Sequence, residues 1–360
     1  MPACRLTADC IWNSFRSSGK RHLLLTGSRG SGKSTLLRQL FPHPVPGLTT
    51  WAQPGQAVFL KENETGETAA IGEFHPTQAK FENQMKPRAE GFLSLGIGAL
   101  ERLWLQESPW VSIDEIGYLE SECQPYQDAI LSLMAHKRLA AVVRKQSLPF
   151  LQALCRREDV FLVDMDAPFG DTGCVIMASG MGRRFGGNKL MADFGGQPLI
   201  CRILDATEGI FAKRVVVTRH EDVAALCRSR GVPVVLHRLP YRSDTVRLGL
   251  EALGEMERCM FCPADQPLLR RETVIFLSLC AANDDFIWRT CSEGIPGSPV
   301  VFPQWALPLL ASLPEGKGGG AIIKKYPERV HTLSVRDKAE LMDIDTPEDL
   351  KILQAIWAGR

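Results

Sequence analysis

Apolar and polar positions along this chain fall into two successive series, each alternating short apolar runs with longer stretches of helical spacing. In the first series HLLLT (22–26) predicts a strand, followed by a glycine-rich loop and a helix beginning near Lys33. The segment PHPVPG (42–47) ends that helix, because each proline removes a donor and fixes φ. QAVFL and TAAIG, separated by KENETGE, predict a β-hairpin with Thr65-Gly66 in its turn. Then come a helix around 91–106, the strand WVSI (110–113), a helix near 126–137, the strand LAAVV, another helix and VFLV (160–163).

APFGDTG (167–173), with Pro168, Gly170 and Gly173, reads as a linker, so the expected domains are 1–167 and 168–360. The second series runs through CVIMAS (174–179), RVVVT (214–218), VPVVLH (232–237), RCMFC (258–262), DFIWR (285–289), VVF (300–302) and a terminal helix after Thr346. Strands spaced by helical patterns predict parallel sheets covered on both faces. The expected fold class is therefore α/β, as two tandem doubly wound domains. A length of 360 residues and 45% hydrophobic content are enough for two cores.

Charge narrows the partners. The 42 Lys and Arg balance 41 Asp and Glu, which gives no broad electrostatic reason to seek nucleic acid or an anionic membrane. No apolar run approaches the roughly 18 residues of a membrane helix. The N-terminal MPACRLTADCIWNSFRSSGKR has no stretch resembling a signal peptide, and a cytoplasmic location is expected. Eleven cysteines are too sparse for a disulfide scaffold and read as small buried apolar residues. Cys259 and Cys262 form a C-x-x-C without a second pair, so they are expected in the core, not on zinc. The seven histidines show no metal spacing.

Two glycine-rich loops carry the candidate chemistry. Gly27-Ser28-Arg29-Gly30-Ser31-Gly32-Lys33-Ser34, followed by Thr35, fits G-x-x-x-x-G-K-[ST] between a strand and a helix. Such a loop turns successive N–H groups toward a phosphate chain, reinforced by the helix N-terminus. Lys33 is expected to reach the β and γ phosphates and Ser34 to ligate Mg2+. Asp114, at the end of VSIDEIG (111–117), is the partner acid for Mg2+, and Glu115 is the candidate to polarise an attacking water. The plainer role for this Asp-Glu pair is to cap the next element. The P-loop, GLTT (47–50), IDEIGYLE (113–120) and AVVRK (141–145) together resemble the nucleoside-triphosphatase family first described from thermophiles. That resemblance implies slow hydrolysis of ATP or GTP and a kinase-like topology, with a kinase role on a small molecule left open. The chain departs from the family's pattern at Tyr118, where proline is usual, and at WAQPGQ after GLTT, where basic residues are usual.

The second loop, Met177-Ala178-Ser179-Gly180-Met181-Gly182-Arg183-Arg184-Phe185-Gly186-Gly187-Asn188-Lys189, directly follows a buried strand. Its glycines permit close approach of a triphosphate, and Arg184 and Lys189 supply positive charge for a departing pyrophosphate. The spacing is not that of a dinucleotide-binding G-x-G-x-x-G. It resembles the L-A-A-G-x-S-x-R-M-G-x-x-K signature of nucleotidyltransferases that activate molybdenum cofactor, the cytidylyltransferases above all, with departures at Ser179, Gly182 and Phe185. SDTVRLGL (243–250), PADQPLL (263–269), GSPVVF (297–302), GKGGGAII (316–323) and DIDTPEDL (343–350) follow in that family's order.

The resemblance implies that Ser243 and Thr245 lie beside the nucleotide, and that Asp265, with Asp345, holds Mg2+. It implies transfer of a nucleotidyl group from an NTP to a molybdopterin-type acceptor, with Arg184, Lys189 and Asp265 in catalytic roles. A side chain at 179 narrows the base pocket and favours CTP. Plainer roles stand beside these: Asp265 as a turn acid before Pro267, and Thr346, Pro347 and Asp349 as a helix start. Lys317 either holds the acceptor's phosphate or ends a loop. Two other readings remain: a sugar- or alcohol-phosphate nucleotidyltransferase, and a nucleotide-gated chaperone that binds a molybdenum hydroxylase apoenzyme.

Overall fold

The computed structural model describes residues 6–76 and 85–359. The first five residues of the N-terminal stretch inspected for a leader lie outside this range. Thr7–Pro168 forms one compact unit, and the described residues from Phe169 onward build a second.

The first unit is an eight-stranded sheet. Its strands are β1 (His22–Thr26), β2 (Gly47–Gln53), β3 (Ala57–Glu62), β4 (Thr68–Phe74), β5 (Met85–Pro87), β6 (Trp110–Ile116), β7 (Arg138–Val143) and β8 (Val160–Asp164), in the order β5-β4-β3-β2-β6-β7-β1-β8. The five strands from β2 through β8 pair in parallel. All five residues of β1 are buried, the signature of a strand covered on both faces. β3 instead alternates buried and half-buried positions, and β2, β3, β4 and β5 pair antiparallel. The expected hairpin is β3–β4, and it belongs to a longer antiparallel meander of short-looped strands that extends one edge of the parallel sheet, because a short turn such as Thr65-Gly66 can only join antiparallel neighbours. The core gathers Leu24, Phe92, Ile113, Tyr126, Ile130 and Ala141, among others. A fully buried leucine, isoleucine or phenylalanine is worth about 1.5–3 kcal/mol.

The helix expected around 91–106 is broken. Ala89–Gly91 is α-helical, Phe92–Gly96 a π-turn and Ile97–Leu105 α-helical again. A Cβ on Gly91 would stand 2.1 Å from the Ala70 carbonyl oxygen, so the glycine lets this helix lie directly on β4.

The second unit holds β9 (Thr172–Ala178), β10 (Lys213–Thr218), β11 (Val234–Leu236), β12 (Arg258–Pro263), β13 (Ile287–Ser292), β14 (Ile295–Pro303) and β15 (Val330–Ser334), in the order β11-β10-β9-β12-β14-β13-β15. β11, β10, β9 and β12 are parallel, while β14 runs antiparallel to β12 and β13. The second sheet is therefore mixed as well. The hairpin between β13 and β14 turns on Glu293 (φ 51°) and Gly294 (φ 78°), the pair of left-handed residues that a tight two-residue turn requires. Val175, Val217, Phe261, Val300, Phe302 and Leu310 belong to its core. Cys259 and Cys262 are buried in β12, with Cys262 Sγ 3.8 Å from Cys174 Sγ. Among the described residues, no helix is long and apolar enough to cross a membrane.

Candidate functional sites

β1 delivers the chain into the first loop, where Gly27, Gly30 and Gly32 adopt φ of 140°, 82° and 87°. L side chains rarely enter that region, so the glycines are required by the curl itself. Lys33 opens the helix Lys33–Gln39. Its Nζ donates to the carbonyls of Gly27 (2.9 Å) and Ser28 (2.6 Å) and lies 3.2 Å from Ser31 Oγ. The ammonium is folded over its own loop. Ser34 Oγ donates to Asp114 Oδ1 at 2.7 Å, bringing together two residues 80 positions apart. A hydroxyl and a carboxylate are the hard oxygen donors Mg2+ prefers, so this pair fits the ion expected there. Ser28, Arg29, Gly30 and Thr35 are exposed.

Glu115 has a φ of 95° and sits at a register irregularity between β6 and β7. Its carboxylate is ion-paired with Arg144, of the AVVRK segment. Two further carboxylates were not legible as site residues. Asp166, just past β8, accepts from Ser28 N (2.9 Å) and Ser28 Oγ (2.8 Å) and from Lys145 Nζ (3.1 Å). The Ser28 amide and hydroxyl, then Lys145, bring its pKa down to about 2. Asp166 anchors the phosphate loop from outside, and its only trace in the sequence is its place at the end of a strand. Glu120 is buried and accepts from Gly117 N at 2.7 Å. Burial pushes its carboxyl up to about 7.

The second loop leaves the carboxyl end of β9, the central strand between β10 and β12, where α/β sheets bind ligands. Gly182 (φ 57°) and Gly186 (φ 79°) are left-handed, and a Cβ on Gly182 would stand 2.2 Å from the Gly187 carbonyl oxygen. Lys189 is buried. Its Nζ donates to Asp265 Oδ2 at 2.7 Å and to the Ile344 carbonyl at 2.5 Å, and lies 3.3 Å from Asp345 Oδ1. Arg184 Nη2 reaches Asp345 Oδ2 at 2.7 Å. Four residues chosen from the sequence thus form one connected cluster. Thr346 accepts from Asp349 N, and the Asp349 carboxylate accepts from the amides of Thr346 and Asp345. The helix cap and the placement of Asp345 are one device.

Among the described residues, no three acidic, histidine or cysteine side chains converge as a metal cage. Asp265 and Asp345, both on the Lys189 ammonium, are a two-carboxylate set that fits Mg2+ only if substrate oxygens complete its shell.

A cavity of about 640 Å³ opens beside this cluster, lined by Ser179, Gly180, Arg219, Arg242, Thr245 and Asp265 among others. Ala178 is buried, and its carbonyl accepts from Thr218 Oγ1 at 2.9 Å. Ser243 is buried in the first turn of the helix Arg242–Leu253. A second cavity of about 560 Å³ shares Met177, Arg242, Pro263, Arg289 and Ser298 with the first. Arg242, Arg289, Lys317 and Lys324 line it, over Phe261 and Phe302, and no acidic residue does. Lys317 therefore faces a cationic pocket. Arg242 and Arg289 were missed, although Arg242 directly precedes the SDTVRLGL segment.

Residues 174–330 match the family model of the MobA-like NTP transferase domain. Residues 56–168 match the NTPase family model, a range that begins beyond the phosphate loop. The chain carries, in order, an NTPase-family segment and a MobA-like NTP transferase domain. A probable molybdenum cofactor guanylyltransferase of Aquifex aeolicus is 25% identical over 105 residues, which are 29% of this chain and 51% of that relative. The match thus spans about half that relative's length. A solved homologue of a Mycobacterium tuberculosis protein, from Mycobacterium sp. strain JC1, covers 52% of this chain and 98% of its own at 21% identity and a TM-score of 0.46. THEP1 from the hyperthermophile Aquifex aeolicus covers 40% of this chain and 89% of its own, at 21% identity and a TM-score of 0.35.

Proposed function

We propose that the second unit transfers a nucleotidyl group, CMP by preference, from an NTP to the phosphate of a molybdopterin-type acceptor and releases pyrophosphate. The first unit hydrolyses ATP or GTP. The observation that carries the reading is the adjacency of two unlike cavities. One is lined by Asp265 of the Lys189–Asp265–Asp345–Arg184 cluster, and the other by four cations and, among the described residues, no acid.

A nucleotide in the first cavity and an anionic acceptor in the second would meet near Asp265. The acceptor's phosphate oxygen attacks the α-phosphorus in line, the bond to the bridging oxygen breaks, and the electron pair leaves with pyrophosphate. The acceptor is already ionised, so no base and no covalent enzyme intermediate are needed. Lys189 and Arg184 offset charge growing toward the leaving group, in a site where one of the two cations is buried. Asp265 and Asp345 would hold Mg2+, which when bound withdraws charge from the α-phosphate. In the first unit Ser34 and Asp114 would hold Mg2+, Lys33 would unfold onto the β and γ phosphates, and Glu115 would part from Arg144 to polarise water.

The four cations recognise phosphate and not the rest of the acceptor, so a sugar or alcohol phosphate is the second reading. Purified protein is incubated with Mg2+, molybdopterin and each α-labelled NTP, and label transfer and pyrophosphate are followed. Transfer from CTP is expected to fall at least about a hundredfold in Lys189→Ala, as for removal of a residue that stabilises transition-state charge, and to persist in Lys33→Ala. No transfer from any NTP, with γ-phosphate hydrolysis intact, would overturn the molybdopterin assignment and favour another acceptor or a nucleotide-gated chaperone.

A further inference from the structure

We propose that His237 fixes the polarity of the Ser179 hydroxyl, so that the cavity beside the second glycine loop selects a base with an exocyclic amino group, cytosine over uracil. The inference rests on the reading of that cavity as a nucleotide site.

His237 is buried just past β11, and its Nδ1 accepts the Leu239 N–H at 3.2 Å. A ring nitrogen that accepts carries no hydrogen, so the neutral imidazole bears its proton on Nε2. That nitrogen lies 2.8 Å from Ser179 Oγ and donates to it. The serine's own O–H is given to the Val217 carbonyl at 3.0 Å. A hydroxyl has one hydrogen and two lone pairs, and here the hydrogen and one lone pair are used within the protein. One lone pair remains.

Ser179 lines the cavity of about 640 Å³ with Gly180, Arg219 and Thr245. What it offers there is an acceptor, which becomes a donor only by giving up its hydrogen bond to the Val217 carbonyl. Burial, with Arg219 nearby, holds the His237 pKa below its ordinary range and outweighs Asp244, which keeps the ring neutral. Protonation would also point an Nδ1–H at the Leu239 N–H.

A fixed acceptor discriminates by rejection. The cytosine amino group donates to it, whereas the uracil carbonyl would face it lone pair against lone pair. Sites built to hydrogen-bond an N–H reject the analogue lacking it far more strongly than apolar contact can. His237 acts through Ser179 and is a positioning residue.

The test is calorimetric titration of the full chain with CTP and with UTP in Mg2+. The binding event lost in Lys189→Ala identifies the second site. CTP is expected to bind at least about tenfold more tightly than UTP there. His237→Phe removes the donor that holds one lone pair, leaving the hydroxyl oriented by the Val217 carbonyl alone, and the ratio should fall within about threefold. A merely structural role would weaken both nucleotides together. Ser179→Ala leaves the imidazole in place and should give the same collapse, which keeps the test open if His237→Phe does not fold. Equal affinity for UTP in the unaltered chain, or a preference that survives both substitutions, overturns the inference. Absence of any Lys189-dependent event with either nucleotide overturns the transferase reading, and the inference with it.

Discussion

Two buried titratable side chains in the first unit run against each other with pH. His22 Nδ1 accepts the Leu139 N–H at 3.0 Å, and its Nε2 lies 3.3 Å from Asp159. Burial outweighs Asp159 and lowers its pKa to about 4. Between about 4 and 6.5 the unfolded chain therefore holds more protons at this site, and stability rises with pH. Glu120 is the reverse: with its pKa raised to about 7, the folded state holds the extra proton, and stability falls as pH climbs from about 4.5 to 7. Over the shared window the two slopes offset. Glu120→Gln removes one slope and exposes the other. The variant's thermal stability should rise from pH 5 to pH 6.5 by about 1–2 kcal/mol more than the parent's, the Glu120 contribution that the substitution removes. Identical pH slopes in parent and variant would show that Glu120 does not titrate in this range.

At the scale of elements, the Lys189–Asp265–Asp345 cluster depends on a helix start. Thr346 caps the helix Pro347–Ala358 in a reciprocal pair with Asp349, and the same Asp349 carboxylate accepts the Asp345 amide. Thr346→Ala should cost about 1 kcal/mol of stability in the second unit, the usual worth of such a cap. It should also weaken nucleotide binding in the presence of Mg2+ more than in its absence, because the Asp349 carboxylate that holds the Asp345 amide loses the Thr346 hydroxyl that positions it. Equal weakening with and without Mg2+ would sever the cap from the metal role.

This cap was legible in the sequence because its residues are contiguous. So were the two glycine loops, in which Gly27, Gly30, Gly32, Gly182 and Gly186 adopt left-handed φ. The clusters across elements were legible only as residue types in order. The resemblance named Lys189, Asp265 and Asp345 separately, and the fold made them one contact. Asp166 and His237 left no such trace, since each works through a partner remote in sequence. β2 and β15 were missed for a different reason: their outer residues are exposed, so neither presents a run of apolar positions.

For the molecule as a whole, the alternation of strands and helices indicated two α/β sheets, with one antiparallel hairpin in the first, but not that the second is mixed. Apolar patterning reports how deeply a strand is buried and not its direction; direction is set by connection length, as the tight β13–β14 turn illustrates. Two sheets with two cores and two glycine-rich loops make a prediction of their own. Scanning calorimetry of the full chain should resolve two unfolding transitions. A ligand at about a hundred times its Kd stabilises the unit that binds it by about 2.7 kcal/mol. For a unit of this size that raises its transition by about 5–10 °C. CTP with Mg2+ should raise one transition, and Lys189→Ala should abolish that rise. ATP with Mg2+ should raise the other, and Lys33→Ala should abolish that one alone. If a single substitution removes both rises, the two loops serve one nucleotide site and not two, and the division of labour proposed for the units fails.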